Sequence, residues 1–91
     1  MTKVRAEVRV TGTVQGVWFR QSTKKTAEQY GVSGWCSNNP DGSVVAVFEG
    51  EKSAVKSVIE WCKDGPELAR VDDLKIEWEE PTGGFERFFI R

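Results

Sequence analysis

Two segments of the chain alternate apolar and polar residues with the two-residue period of a half-buried β-strand. In residues 5–10, Ala6, Val8 and Val10 alternate with charged neighbours, and residues 74–79 alternate in the same way. Each segment therefore predicts a strand with one face directed toward a hydrophobic core and the other toward solvent.

Two further segments have the spacing of helices. Residues 51–63 carry apolar side chains on one helical face, and Gly65-Pro66 follows as the expected helix end. These apolar residues are Val55, Val58, Ile59 and Cys62. Earlier in the chain, Ser22 is a candidate N-cap for a helix that extends to about Tyr30.

The remaining patterns complete the fold prediction. Asp41-Gly42 between the strand-like segments 32–38 and 43–49 is typical of a β-hairpin, because glycine accepts a positive φ at little cost. A short last strand is predicted at residues 88–90. The order β-α-β-β-α-β with an extra terminal strand predicts an α+β class, ferredoxin-like sandwich, with two helices on one face of a mostly antiparallel sheet.

Length and charge narrow the class of function. With 91 residues and 10.2 kDa, the chain is predicted to form one domain over residues 1–91. Lys and Arg number 13 and Asp and Glu number 14, so the basic surplus of a typical nucleic-acid-binding protein is missing. No apolar run approaches the ~20 residues that cross a bilayer, and no signal-peptide core follows the first residues. We therefore expect no nucleic-acid partner, no membrane partner and a cytoplasmic location.

Two residue types restrict the chemistry. The chain has no histidine, which excludes imidazole bases, Ser-His-Asp triads and most catalytic zinc sites. Cys36 and Cys62 are the only cysteines. Two buried free thiols are the favoured interpretation for a cytoplasmic protein, and a structural disulfide is the alternative.

The segment Gly12–Arg20 follows a predicted strand and leads into a predicted helix, an arrangement that suits anion binding. Backbone N–H groups and the positive end of the helix dipole would converge there, and glycines allow the chain to curl around the anion. Arg20 adds a planar fork for two phosphate oxygens. The pattern predicts a site for phosphate or a similar dianion. The alternative is a surface loop in which Arg20 pairs with a nearby carboxylate.

Asn38 ends the second predicted strand, at a sheet edge near the same loop in this fold. A carboxamide both donates and accepts hydrogen bonds, which suits it to orient a water molecule. The alternative is that Asn38 is simply a turn residue, like its neighbour Asn39.

Two motifs at this separation resemble the acylphosphatase family. They are Gly12-x-Val14-Gln15-Gly16-Val17-x-Phe19-Arg20 and Gly31-x-x-Gly34-Trp35-x-x-Asn38-x-x-Asp41-Gly42-Ser43-Val44. The resemblance covers nearly the whole chain and also implies a ferredoxin-like fold. It further implies hydrolysis of the carboxyl–phosphate bond of acyl phosphates, such as benzoyl or acetyl phosphate, with no metal and no cofactor.

The same resemblance implies roles for individual residues. Arg20 matches the family's phosphate-binding arginine, and Asn38 matches the asparagine that positions the attacking water. The phosphate-binding loop would be formed by Gln15, Gly16, Val17, Trp18 and Phe19. An acyl phosphate is then the expected substrate and a phosphate or sulfate anion the expected ligand, and small size makes a monomer the expected state.

Trp18 departs from the family pattern, in which glycine is frequent at this position. Because an indole restricts the backbone, either the loop accepts Trp18 at a negative φ or its shape has changed. We expect the negative φ. The side chain would then either flank the acyl group or pack on the neighbouring surface.

Three other functions fit the same element order. A non-catalytic module could bind a ligand or a partner on this fold, since a fold does not determine function. RNA-binding domains of the RNP type share this element order, but this chain lacks their basic-aromatic signature. The chain could also be a segment of a larger carbamoyl-transferring enzyme, although its compact length favours a free-standing protein.

Overall fold

A computed structural model describes residues 2–91 as two helices packed on a five-stranded mixed sheet. The elements are β1 Lys3–Thr13, α1 Phe19–Gln29, β2 Ser33–Asn38, β3 Val44–Glu51, α2 Lys52–Asp64, β4 Arg70–Glu79 and β5 Phe88–Ile90. The strand order is β4-β1-β3-β2-β5, with β2 and β5 parallel and every other pair antiparallel. The predicted ferredoxin-like arrangement is confirmed. Within residues 2–91, neither helix is long and apolar enough to cross a membrane.

β1 lies inside the sheet and carries the predicted apolar face. Ala6, Val8 and Val10 are buried, and Val8 pairs across the sheet with Ala46 of β3 and Ile76 of β4. Alternation on a strand places these side chains on the face that packs against the helices. β1 is thus paired on both sides and packed against the helices, which fixes the start of the loop that follows it.

The first strand and the fourth are longer than predicted. Gly12 was expected in a loop, but it belongs to β1, where the register with β4 shifts between Thr11 and Gly12. A Cβ at Gly12 would lie 2.2 Å from the carbonyl oxygen of Arg70, and its φ is 125°. Glycine therefore permits a close approach that extends the pairing of β4 back to Arg70.

The two helices compare differently with the prediction. α2 has the expected face, with Val55, Val58, Ile59 and Cys62 all buried. The predicted N-cap of α1 is wrong, because the helix begins at Phe19 and Ser22 lies within its first turn. The Ser22 N–H donates to the carbonyl oxygen of Trp18 at 3.0 Å, so the chain turns helical before Ser22 could cap it.

The segment after β4 is bound to the sheet through the buried carboxylate of Glu49. Its oxygens accept hydrogen bonds from the N–H groups of Thr82 at 2.8 Å and Gly83 at 2.7 Å, and Arg5 Nη1 lies 3.8 Å away. Burial alone would raise the pKa of Glu49, but the hydrogen bonds and the charge of Arg5 outweigh it, so this pKa lies below its ordinary value.

We expect Glu49→Gln to lower the free energy of unfolding by about 1–3 kcal/mol at pH 7, because charge-assisted hydrogen bonds are lost. A carboxyl with a depressed folded-state pKa stabilises the fold above its ordinary pKa of 4.5, and this contribution disappears as the pH falls through the folded value. The difference between wild type and variant should therefore shrink toward pH 3 in urea titrations. The exposed Glu77→Gln serves as control, and a pH-independent difference would contradict the assignment.

Candidate active site

A cavity of about 280 Å³ opens between the β1–α1 loop and the end of β2. Its lining residues are Val14, Gly16, Trp18, Phe19, Arg20, Gln21 and Asn38. The structure thus brings Arg20, Asn38 and most of the predicted phosphate-binding loop to one place. Gln15 and Val17, whose backbone was also predicted to form the phosphate cradle, are not among these lining residues.

Gln15 attaches the loop to the β2–β3 hairpin. Its side-chain amide donates to the carbonyl oxygens of Asn39 at 2.7 Å and Ser43 at 3.0 Å. The hairpin is itself closed by Asp41, whose carboxylate accepts hydrogen bonds from the N–H of Ser43 at 2.9 Å and from its hydroxyl at 2.6 Å. The Gln15 side chain therefore positions the loop relative to Asn38, the residue that precedes this turn.

Phe19 anchors the loop in the core. It is buried, and its ring lies 5.7 Å from that of Trp61 on α2. A Cβ at Gly65 would lie 2.6 Å from the Phe19 ring, and the φ of Gly65 is 71°. The sequence pattern indicated Gly65 only as the end of a helix; its second role, leaving room for the Phe19 ring, had no local pattern that could reveal it.

The backbone of the loop curls by two left-handed residues. Gly16 has a φ of 75° and Trp18 a φ of 65°, with Val17 between them at a negative φ. Such alternation directs successive N–H groups to one side of the chain. α1 begins directly afterwards, so the N–H groups that precede Ser22 in its first turn have no partner within the helix, and its positive dipole end adds to them. This is the geometry of an anion site.

The conformation of Trp18 corrects the prediction of a negative φ. Trp18 is the one non-glycine residue with a positive φ within residues 2–91. The loop therefore keeps a left-handed bend and accommodates the indole at a backbone strain of about 1–2 kcal/mol. The side chain is 71% exposed, so it lies at the rim of the cavity and is not packed on the neighbouring surface.

Arg20 provides the positive charge of the cavity. Among residues 2–91, no carboxylate lies within 4.0 Å of its guanidinium, so the alternative of a surface ion pair is not what the structure shows. The thiol of Cys36 donates to the carbonyl oxygen of Arg20 at 3.7 Å. Burial raises the pKa of Cys36 to about 12, although the charge of Arg20 acts to lower it. The thiol stays neutral, and the charge of Arg20 remains available for an anion.

Both cysteines are buried free thiols, as the favoured interpretation predicted. Cys62 on α2 also has a raised pKa, mainly because of burial. Within the described part of the chain, no three His, Cys, Asp or Glu side chains are grouped so that they could hold a metal ion.

Asn38 contributes a buried acceptor. It pairs with Val44 of β3 and lies two residues beyond Cys36, the last residue of β2 that pairs with β5. Its Oδ1 atom is buried and accepts no hydrogen bond from the described residues. A buried acceptor without a donor is unfavourable by about 1–3 kcal/mol, which is typical of functional positions. Asn38 lines the cavity, so a small rotation of its carboxamide would let Oδ1 accept a hydrogen bond from a bound molecule.

Comparison with known proteins agrees with this geometry. The family model described as Acylphosphatase matches residues 6–90. The chain belongs to the acylphosphatase family. An acylphosphatase of Rubrobacter xylanophilus is 52% identical over 87 residues, covering 96% of this chain and 79% of that protein. One of Roseiflexus sp. is 50% identical over 90 residues, covering 99% of this chain and 97% of that protein.

Solved acylphosphatases have the same fold. The crystal structure of the Bacillus subtilis acylphosphatase superposes with a TM-score of 0.93 at 32% identity, over 97% of this chain and 98% of that one. Full-length HypF in its phosphate- and nucleotide-bound form contains a similar unit, with a TM-score of 0.90 at 25% identity. The superposed region covers 99% of this chain but 12% of HypF. The relatives at about 50% identity support acyl phosphate hydrolysis by this acylphosphatase, and the non-catalytic alternative is not favoured.

The strained backbone leads to a stability prediction. Trp18→Gly should raise the free energy of unfolding by up to about 1 kcal/mol, because relief of the left-handed strain exceeds the added flexibility of the unfolded chain. Urea denaturation measures the effect. Val17→Gly is the matched control and should destabilise, since Val17 has no positive φ and packs against the core. A Trp18→Gly protein less stable than wild type would contradict the prediction.

Proposed function

We propose that the protein hydrolyses the carboxyl–phosphate bond of acyl phosphates without a metal, with Arg20 and the loop amides binding the phosphoryl group and Asn38 orienting the attacking water. The observation that supports these roles is that Arg20, the first turn of α1 and Asn38 line one cavity, and that the Oδ1 atom of Asn38 has no donor among the described residues. Gly16, Trp18 and Phe19 would contribute through their backbone. The backbone of Gln15 and Val17 would belong to the same cradle, and their side chains would also fix the position and packing of the loop.

The leaving group explains why the site needs no histidine. Hydrolysis expels a carboxylate, whose conjugate acid has a pKa of roughly 4 to 5, similar to that of Asp or Glu side chains. Such a group departs without being protonated, so no general acid is required. Phosphoryl transfer also passes through a loose transition state that demands little base strength of the nucleophile. Positioning and charge stabilisation are the remaining requirements.

The proposed step is a direct displacement. The carboxamide of Asn38 hydrogen-bonds to the attacking water, whose oxygen forms the new bond to phosphorus. The bond from phosphorus to the acyl oxygen breaks, and the carboxylate leaves with the electron pair. A phosphoryl oxygen takes the proton of the water, and inorganic phosphate departs with no phosphoenzyme. Arg20 and the amides of the loop stabilise the charge on the phosphoryl oxygens throughout.

The roles of the two side chains can be measured with benzoyl phosphate. We expect Arg20→Ala to lower kcat/KM at least about a hundredfold, because an electrostatic contact to the phosphoryl group is lost. Asn38→Ala should lower mainly kcat by a similar factor, since water would no longer be oriented. Steady-state hydrolysis in the presence of EDTA measures both.

Arg70→Ala is the matched control for this experiment, because Arg70 is exposed on β4, pairs with Asp72 and is not among the residues that line the cavity. Wild-type turnover by Arg20→Ala would refute the role of the guanidinium. Loss of wild-type activity on chelation would refute the metal-free reaction. The non-catalytic alternative would be supported by two results together. The wild type would not hydrolyse acyl phosphates, and inorganic phosphate would still raise its melting temperature.

A second prediction concerns the leaving group. Phenyl phosphate has the ring of benzoyl phosphate but expels a phenolate, whose conjugate acid has a pKa near 10, as in Tyr. Without a general acid, this substrate should be hydrolysed at least about a hundredfold more slowly. Parallel measurements of kcat/KM on the two compounds test this, and comparable rates would show that the site supplies a proton to the leaving group.

The setting of the reaction is part of the same proposal. Two buried free thiols suit a reducing compartment, which supports the cytoplasm. The balanced net charge of -1 supports a small anion, not nucleic acid or an acidic membrane surface, as the partner. A monomer is proposed because the chain has 91 residues and shows no obvious apolar heptad pattern.

A further inference from the structure

The candidate active site has one large apolar surface that stays accessible. Of the apolar residues around the cavity, Val14 is 1% exposed and Phe19 is 2% exposed, whereas Trp18 is 71% exposed. Val14 and Phe19 belong to the core and offer a ligand almost no surface. Among the apolar side chains that line the cavity, the indole is therefore the one that a bound molecule can contact.

The indole has no aromatic or cationic partner within residues 2–91, although other aromatic rings do. Phe19 pairs with Trp61, and the guanidinium of Arg91 lies 4.4 Å from the Trp35 ring. An exposed aromatic residue is ordinary by itself. Here it occurs together with a strained backbone at the mouth of a cavity, a combination that points to a contact outside the chain.

An acyl phosphate has two chemically different ends, and the cavity provides a different surface for each. Arg20 and the first-turn amides suit the phosphoryl dianion, and they leave the acyl group to be directed toward the rim. We propose that the Trp18 indole is the platform for the acyl group and makes aromatic acyl phosphates the preferred substrates. The inference rests on the proposed function, because it assigns the second half of the same substrate.

The size of the effect follows from the geometry of ring contacts. An offset or edge-to-face pair of aromatic rings, added to burial of the indole surface, corresponds to about threefold to tenfold in kcat/KM. The acyl ring takes no part in bond breaking, so its contact is equally strong in the ground and transition states. The preference should therefore appear mainly in KM.

The experiment compares benzoyl phosphate with acetyl phosphate, whose leaving groups are both carboxylates of similar pKa. The ratio of their kcat/KM values is measured for wild type, Trp18→Phe, Trp18→Asn and Trp18→Gly. Asparagine and glycine both accept the left-handed conformation, so these variants remove the ring without forcing the loop into another shape. We expect the ratio to fall about threefold to tenfold in Trp18→Asn and Trp18→Gly, because the KM of benzoyl phosphate rises. In Trp18→Phe the ratio should stay close to that of the wild type.

Trp78→Thr is the control for loss of an exposed indole elsewhere, because Trp78 lies on β4 away from the cavity. It should leave the ratio unchanged. A ratio that persists in both Trp18→Asn and Trp18→Gly would overturn the platform. A ratio that falls equally in Trp18→Phe would also overturn it, since the aromatic ring would then not be the cause.

A binding measurement separates this inference from the proposed function. Phenylphosphonate carries an aromatic group and methylphosphonate a small aliphatic group, each joined to phosphorus by a carbon–phosphorus bond that is not hydrolysed. Calorimetry therefore gives their affinities without turnover. Tighter binding of phenylphosphonate that depends on Trp18 supports the platform even if neither acyl phosphate is hydrolysed. Equal, Trp18-independent affinities beside normal hydrolysis would refute the platform and leave the proposed function intact.

Discussion

The candidate active site depends on a bend in the backbone between β1 and α1, where two residues adopt positive φ angles. Gly16 and Trp18 turn the chain so that its N–H groups face the cavity, and α1 starts at the next residue. Arg20 then lies within the first turn, beside amides that have no helical partner. An arginine elsewhere on this surface would be one charge in water, whereas in the proposed reaction Arg20 would act together with fixed dipoles on the same anion.

Packing beneath the loop outweighs the strain in it. The left-handed conformation of Trp18 is unfavourable by about 1–2 kcal/mol. Burial of the adjacent Phe19 side chain contributes about 1.5–3 kcal/mol, and its contact with the Trp61 ring adds to this. The two effects act on neighbouring residues, so the core that anchors Phe19 also imposes the conformation of Trp18. Gly65 belongs to the same arrangement, because any side chain there would displace the Phe19 ring.

The sequence predicted elements with strong periodicity and missed features that depend on tertiary contacts. The buried face of α2 and the alternation of β1 follow from local patterns, and both were correct. The start of α1 was misplaced because Ser22 has a good capping side chain, while the true helix start depends on the bend at Trp18. The predicted negative φ of Trp18 was wrong, because local sterics disfavour a positive φ and only the packing of the anchored loop compensates for it. The shared position of Arg20 and Asn38 followed from the fold and the motifs, whereas the free acceptor on Asn38 required side-chain geometry.

The hydrogen bonds from Gln15 to the carbonyl oxygens of Asn39 and Ser43 have a mechanical consequence. They join two segments that are far apart in the chain into one frame, with the loop that leads to Arg20 at one end and Asn38 at the other. Thermal fluctuations of this frame would move both ends together and change their separation little. In-line displacement is sensitive to that separation, so in the proposed reaction this frame would hold Arg20 and Asn38 in position before a substrate binds.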